Sequence, residues 1–185
     1  MLNCPEAIKR FSKDFVNPIL EFITEDHFTH KLNYFVKDVL VMLLAWSSAV
    51  KPSNANVKKI IQFFIQHGEN EAYVVSEEGE NPVFRKDIFT HNLDLFETVI
   101  KHWVAGSEDE NSLIPYDAIM DTLKSSNGLK TFGLKLCTRL LDAGVLPCVQ
   151  NQLKTLMENV TGFLKMSPTK AICTVVAEAC GAMLR

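Results

Sequence analysis

Residues 84–104, FRKDIFTHNLDLFETVIKHWV, carry apolar side chains over roughly half of a helical wheel. The positions are Phe84, Ile88, Phe89, Leu93, Leu95, Phe96, Val99, Ile100 and Trp103. Asn81-Pro82 ahead of them suits an N-cap followed by proline at the first helical position, and Gly106 stands where a helix stops. A surface helix shows a narrower stripe. An arc this wide predicts neighbours on two sides, as in a stack where each helix lies between others. One polar residue, Asn92, falls inside the arc. A buried amide must be hydrogen-bonded, so Asn92 is expected to bond backbone groups of an adjacent helix end or loop.

The bulk properties exclude several classes. The chain has 185 residues, of which 47% are apolar, and a formal net charge of -3. It is long enough for a sizeable core and too apolar for disorder. The balanced charge argues against direct nucleic-acid binding and against a polybasic membrane-surface role. Val39–Trp46, the longest apolar run, falls far short of the ~20 residues of a membrane helix. The opening MLNCPEAIKR shows no secretory signal. Cys4, Cys137, Cys148, Cys173 and Cys180 have no paired spacing and read as free thiols in a reducing, intracellular compartment.

Outward from 84–104 the pattern stays helical. Pro5–Thr24 keeps a helical period through Ile8, Phe11, Phe15, Ile19, Phe22 and Ile23, with Pro18 expected to kink or split it. Leu32–Val50 is apolar nearly all round and so is expected to be buried nearly all round, as the inner partner of the first helix. Ser53 is a fair N-cap for Asn54–His67, and Gly68 ends it. Residues 69–81, rich in Glu, and residues 106–111 read as acidic loops, the first with a short turn of order around Tyr73–Val75. Ser112 is read as capping a short helix through Ser125 with Pro115 in its first turn. Asn127-Gly128 reads as a turn, Leu129–Ala143 as a helix stopped by Gly144, Cys148–Lys165 as a helix, and Thr169–Leu184 as the last, opened by Ser167-Pro168.

No stretch alternates like a strand. The expected fold is therefore all-α: a HEAT-like α-solenoid, or alpha-alpha superhelix, of about eight helices in antiparallel pairs, with residues 1–185 as a single segment. The first helix lacks an earlier partner and the last stripe is still running at the end, so the segment is expected to come from a longer chain.

No catalytic or cofactor motif is legible. His27-x-x-His30 is the closest histidine pair and has no further ligand at helical spacing, so no metal site is assigned. Phosphate-cradling glycine loops and kinase motifs are absent, and Cys137 and Cys180 lie on apolar stripes, which reads as core packing. His91 and His102 border the polar arc of the central helix and are expected in solvent. Asn159-Val160-Thr161 matches a glycosylation acceptor but is read as incidental, with Val160 in the core. Lys124, Lys130, Lys135 and Arg139 read as a solvated basic face. Ser76 and Ser107, each followed by acidic residues, are candidate regulatory phosphorylation sites. Asn92, Trp46 and Trp103 are the residues expected to be structural.

FTHNLDLFETVIKHW followed by SLIPYDAIMDTL resembles part of the helical scaffold of the phosphatidylinositol 3-kinase-related protein kinases. The resemblance extends through LNYFVKDVLVMLLAWSS, FSKDFVNPILEF and LKLCTRLL, with His91-Asn92-Leu93, Trp46, Asn17-Pro18 and Ile114-Pro115-Tyr116 as landmarks. It implies a non-catalytic segment of HEAT scaffold, upstream of the kinase domain of a nuclear serine/threonine kinase. That kinase would act in double-strand break repair by non-homologous end joining, with the Ku heterodimer and DNA ends as partners of the whole chain. ATP and magnesium would belong to the parent's kinase domain, and the segment itself would hold no cofactor. Residues 68–81 look longer than their counterpart, so no role is carried over to that loop. The alternative is a stand-alone HEAT-like adaptor for protein partners.

Overall fold

The computed structural model describes residues 5–24, 34–46, 51–67, 73–74, 83–84, 86–124, 127–145, 154, 157–158, 160–162, 165 and 170–183. The helices are α1 (Pro5–Thr24), α2 (Tyr34–Trp46), α3 (Asn54–His67), α4 (Lys86–Val99), α5 (Glu110–Leu113), α6 (Tyr116–Lys124), α7 (Asn127–Asp142) and α8 (Lys170–Met183). The described residues between 154 and 165 are also helical.

These helices form two rows. One runs α1, α3, α6, each touching the next; the other runs α2, α4, α7, α8. Cross-contacts join α1 to α2, α3 to α4 and α6 to α7, so consecutive helices pair and the pairs stack. This is the packing of a HEAT-like α-solenoid. One cluster of buried apolar side chains extends from Val16 in α1 to Val176 in α8. α4 touches α2, α3 and α7. Its wide arc is used on both sides: Phe89, Leu93, Leu95, Phe96 and Val99 are all buried.

Local chemistry sets the boundaries. Ser53 Oγ accepts from the Asn56 N–H at 3.3 Å, and Ser53 O accepts from Val57 at 3.0 Å, which caps α3 as its sequence suggests. Gly144, at φ 78°, closes α7 with paired bonds from Val145 N to Leu140 O and from Gly144 N to Leu141 O. That is a Schellman ending, with Val145 and Leu140 both buried.

Several expectations need correction. Phe84 does not open the central helix: Val83–Phe84 pairs antiparallel with Tyr73–Val74, as β2 against β1, and the helix starts at Lys86. A two-residue ladder is too short to leave an alternating pattern. The last turn, Ile100–Val104, is a π-helix in which Ala105 N donates to Ile100 O at 2.9 Å. Pro18 does not split α1, which is one continuous helix with the ring on an exposed face. The buried face of α1 is Ser12, Val16, Leu20 and Ile23, whereas Phe15 and Phe22 are 50% and 52% exposed. α2 is not buried all round, because Val41 and Ala45 are exposed.

Ser112 does not cap the short helix expected through Ser125, because it lies inside α5. α5 begins inside the predicted 106–111 loop, and Ser112 Oγ donates back to Asp109 O at 2.9 Å. Pro115 forces Ile114 into an extended conformation (φ -93°, ψ 117°), which separates α5 from α6. Asn127 and Gly128 form the first turn of α7 instead of preceding it.

Candidate functional site

α4 carries polar features that tie it to its neighbours in its own row, α2 and α7. Asn92 is 1% exposed, and its Oδ1 accepts from Lys37 Nζ of α2 at 3.2 Å. Lys37 itself is 3% exposed. A buried ammonium needs acceptors, and the amide oxygen supplies one without bringing a second charge. Lys37 is a side-chain partner of Asn92, beside the backbone groups expected for it.

One turn further along, Glu97 and Asp94 face α7. Arg139 Nη2 donates to Asp94 Oδ1 at 2.6 Å and Nη1 to Glu97 Oε2 at 2.5 Å, while Lys101 reaches Glu97 Oε1 at 2.5 Å. Burial pushes the Glu97 carboxyl up. The hydrogen bonds from Lys101 and Arg139, with their charges, outweigh it and hold the group below its usual range. Lys135 of α7 lies 3.8 Å from Glu178 of α8. Arg139 and Lys135, predicted as part of a solvated basic face, are thus inter-helix ties. The side chains of Lys124 and Lys130 lie outside the described residues.

A second polar junction joins α1 to α3. Asn17 Oδ1 accepts from Ser53 N at 2.8 Å and from Asn56 Nδ2 at 3.1 Å; Asn56 Nδ2 also donates to Glu21 Oε1 at 3.3 Å. Asn56 is 2% exposed. Neither Lys37 nor Asn56 was anticipated. The available signals were a lone cation in a helix whose only other charge is Asp38, and an amide one residue before the apolar stripe of α3.

Two grooves flank α4. The first, about 480 Å³, lies against α2, with Val41, Ala45 and Leu95 as apolar lining and His91, Asp94 and His102 as polar lining. His91 and His102 are exposed there, as anticipated. The second, about 390 Å³, is lined by Lys135, Thr138, Arg139, Asp142 and Glu178. Its charges of opposite sign face one another.

The remaining candidates are placed as follows. Trp103 is buried in the π turn, with no hydrogen-bond partner for its Nε1. Trp46 closes α2, and its side chain lies outside the described residues. Ser107 is half-buried, and its Oγ accepts from the Asp109 N–H at 3.3 Å. Ser76, His27, His30, Cys4, Cys148 and Asn159 lie outside the described residues. Val160 is buried, and the Thr161 hydroxyl donates to Met157 O at 2.9 Å. Burial pushes the Cys137 thiol up to about 12, which removes it as a nucleophile near neutral pH. Among the described residues, no three His, Cys, Asp or Glu side chains gather as metal ligands, and no helix is long and apolar enough to cross a membrane.

The sequence aligns with curated sequences. A Xenopus laevis protein matches over 203 aligned residues and the whole of this chain, at 24% identity. This chain is similar to a segment of the DNA-dependent protein kinase catalytic subunit. The Gallus gallus catalytic subunit matches 76% of the chain at 23% identity, and that of Dictyostelium discoideum matches 78% at 23%. The chain spans only 3–4% of the length of these DNA-dependent protein kinase subunits. No family model matches the chain, and no solved structure does.

Proposed function

We propose that the chain is a non-catalytic scaffold segment of a DNA-dependent serine/threonine protein kinase that acts in double-strand break repair by non-homologous end joining. The observation that carries this reading is the alignment of the entire chain with a small part of a kinase subunit. The two-row stack of helices supports it. In this reading ATP and magnesium bind elsewhere in the parent, the Ku heterodimer and DNA ends are partners of the whole polypeptide, and the protein is nuclear. The segment contributes a curved wall whose helices are pinned by Asn92–Lys37 and Arg139–Glu97.

The open groove beside α2 favours a second reading, a HEAT-like adaptor that binds a protein partner there. One assay separates the two. The native polypeptide is captured with an antibody to this segment and given ATP, magnesium and a serine peptide, with and without DNA ends. The scaffold reading expects phosphorylation that rises with DNA from the intact polypeptide, and none from the isolated segment. Transfer by the isolated segment, or none by the native polypeptide, would overturn it.

A further inference from the structure

The turn between the π-helical end of α4 and α5 joins a serine hydroxyl to a run of carboxylates. Ser107 is followed by Glu108, Asp109 and Glu110; among the serines and threonines of the chain it alone precedes three acidic residues in succession. Ser76, the other candidate, has Glu77 and Glu78 but then Gly79. Gly106, Glu108 and Asp109 are exposed around the half-buried Ser107, so the tip of the turn lies at the surface. Short-range bonds hold it. Ser107 N–H donates to Val104 O at 2.9 Å, and Asp109 N–H donates to Ser107 Oγ at 3.3 Å. Bonds between residues two or three apart in an exposed turn open at low cost, which lets the tip extend into a kinase cleft.

Asp109 is the point at which this turn is fastened to the fold. It stands at the N-cap of α5, yet its carboxylate does not cap that helix. Its Oδ2 instead accepts from Asn54 Nδ2, on the first residue of α3, at 2.6 Å. Its carbonyl accepts from the N–H groups of Ser112 and Leu113 at 2.8 and 3.1 Å. One residue thus starts a four-residue helix and ties it to α3.

We propose that Ser107 is phosphorylated by a separate serine kinase whose substrate cleft is lined with Lys and Arg, and that the phosphate unfastens α5 from α3. The proposal stands apart from the scaffold reading and holds equally for an adaptor. Basic side chains in the cleft select the three carboxylates that follow the hydroxyl. Ser107 Oγ attacks the γ-phosphorus of ATP held by that kinase. The Oγ–P bond forms, the bond to the β,γ-bridging oxygen breaks, ADP leaves, and the hydroxyl proton passes to the kinase's carboxylate base. The product carries about two negative charges two residues from Asp109. Residues 105–113 already hold three carboxylates and no base. The N-terminus of α3 offers little relief, because Ser53 N–H and Asn56 N–H already have acceptors in Asn17 Oδ1 and Ser53 Oγ. Repulsion therefore falls on the Asp109 carboxylate, and its bond to Asn54 is the one that yields.

The test uses the native polypeptide captured through this segment. It is stripped with a phosphatase, then given ATP, magnesium and a purified kinase that phosphorylates casein, an acidic protein. Peptide mapping is expected to place phosphate on Ser107, and Glu110→Gln in the same polypeptide is expected to slow that modification about tenfold. No phosphate on Ser107, or a rate indifferent to Glu110→Gln, would overturn the assignment.

Amide hydrogen exchange reads the consequence. In the phosphorylated polypeptide the amides of Asp109, Ser112 and Leu113 are expected to exchange about ten times faster, with those of α7 unchanged. Ser107→Ala, treated in the same way, is expected to keep the slow rates. Unchanged or slower exchange at the three amides, or equal acceleration in Ser107→Ala, contradicts the release of α5.

Discussion

Asn92 and Lys37 show how a polar pair is held inside a helical stack. Removing the amide takes one hydrogen-bond acceptor from an ammonium that is 3% exposed. Asn92→Ala should cost about 1–3 kcal/mol in urea unfolding, while Lys37→Met with Asn92→Leu, which removes both polar groups, should cost less than Asn92→Ala alone. A double variant weaker than the single one would contradict this account of the pair. Glu97 gives a pH signature. Its folded carboxyl is held below its unfolded value, so the stability it adds is complete above the ordinary carboxylate range. That stability is lost as pH falls through the lower folded value. Glu97→Gln should therefore flatten the acid limb of a stability profile between pH values around the carboxylate range and below. An unchanged limb would mean that the Arg139 and Lys101 bonds contribute nothing. These partners were not legible in the sequence. Arg139 looks like any exposed base in its helix, and only the tertiary fold brings it to Asp94 and Glu97.

At the scale of elements, sequence and structure agree where burial is continuous and part where two faces compete. The central position of α4 follows from the breadth of its apolar arc. The endings at Gly106 and Gly144 follow from φ values of 72° and 78°, which favour glycine. For α1 the periodicity announces apolar positions but does not say which are buried: Val16 and Leu20 are in the core, whereas Phe15 and Phe22 are half exposed. Pro115 was visible, yet its restriction on Ile114 decides the break between α5 and α6.

Two substitutions test the elements directly. Pro18 stands inside an unbroken helix, so Pro18→Ala should raise stability by about 1–3 kcal/mol in thermal unfolding of the segment. A lower melting temperature would show that the ring makes contacts worth more than the missing bond. Gly133 lets α7 approach α6: a Cβ there would collide with the Thr122 hydroxyl, which is itself tied to Ile119 O at 2.6 Å. Gly133→Ala should destabilise by about 1–3 kcal/mol, and adding Thr122→Ala should recover part of that loss. Strict additivity of the two changes would argue against the close approach.

The whole molecule is a stack in which α4 bridges the early helices and α7, with polar ties at Lys37–Asn92, Asn17–Asn56 and Arg139–Glu97. Its similarity to a stretch of a very large kinase subunit makes the length of the native chain the decisive quantity. The direct measurement is denaturing size analysis with peptide mapping of the native polypeptide captured through this segment. The scaffold account predicts one covalent chain roughly twenty-five to thirty times the length of the segment, with kinase-domain peptides among those mapped. A chain close to 185 residues, with no kinase peptides, would contradict it.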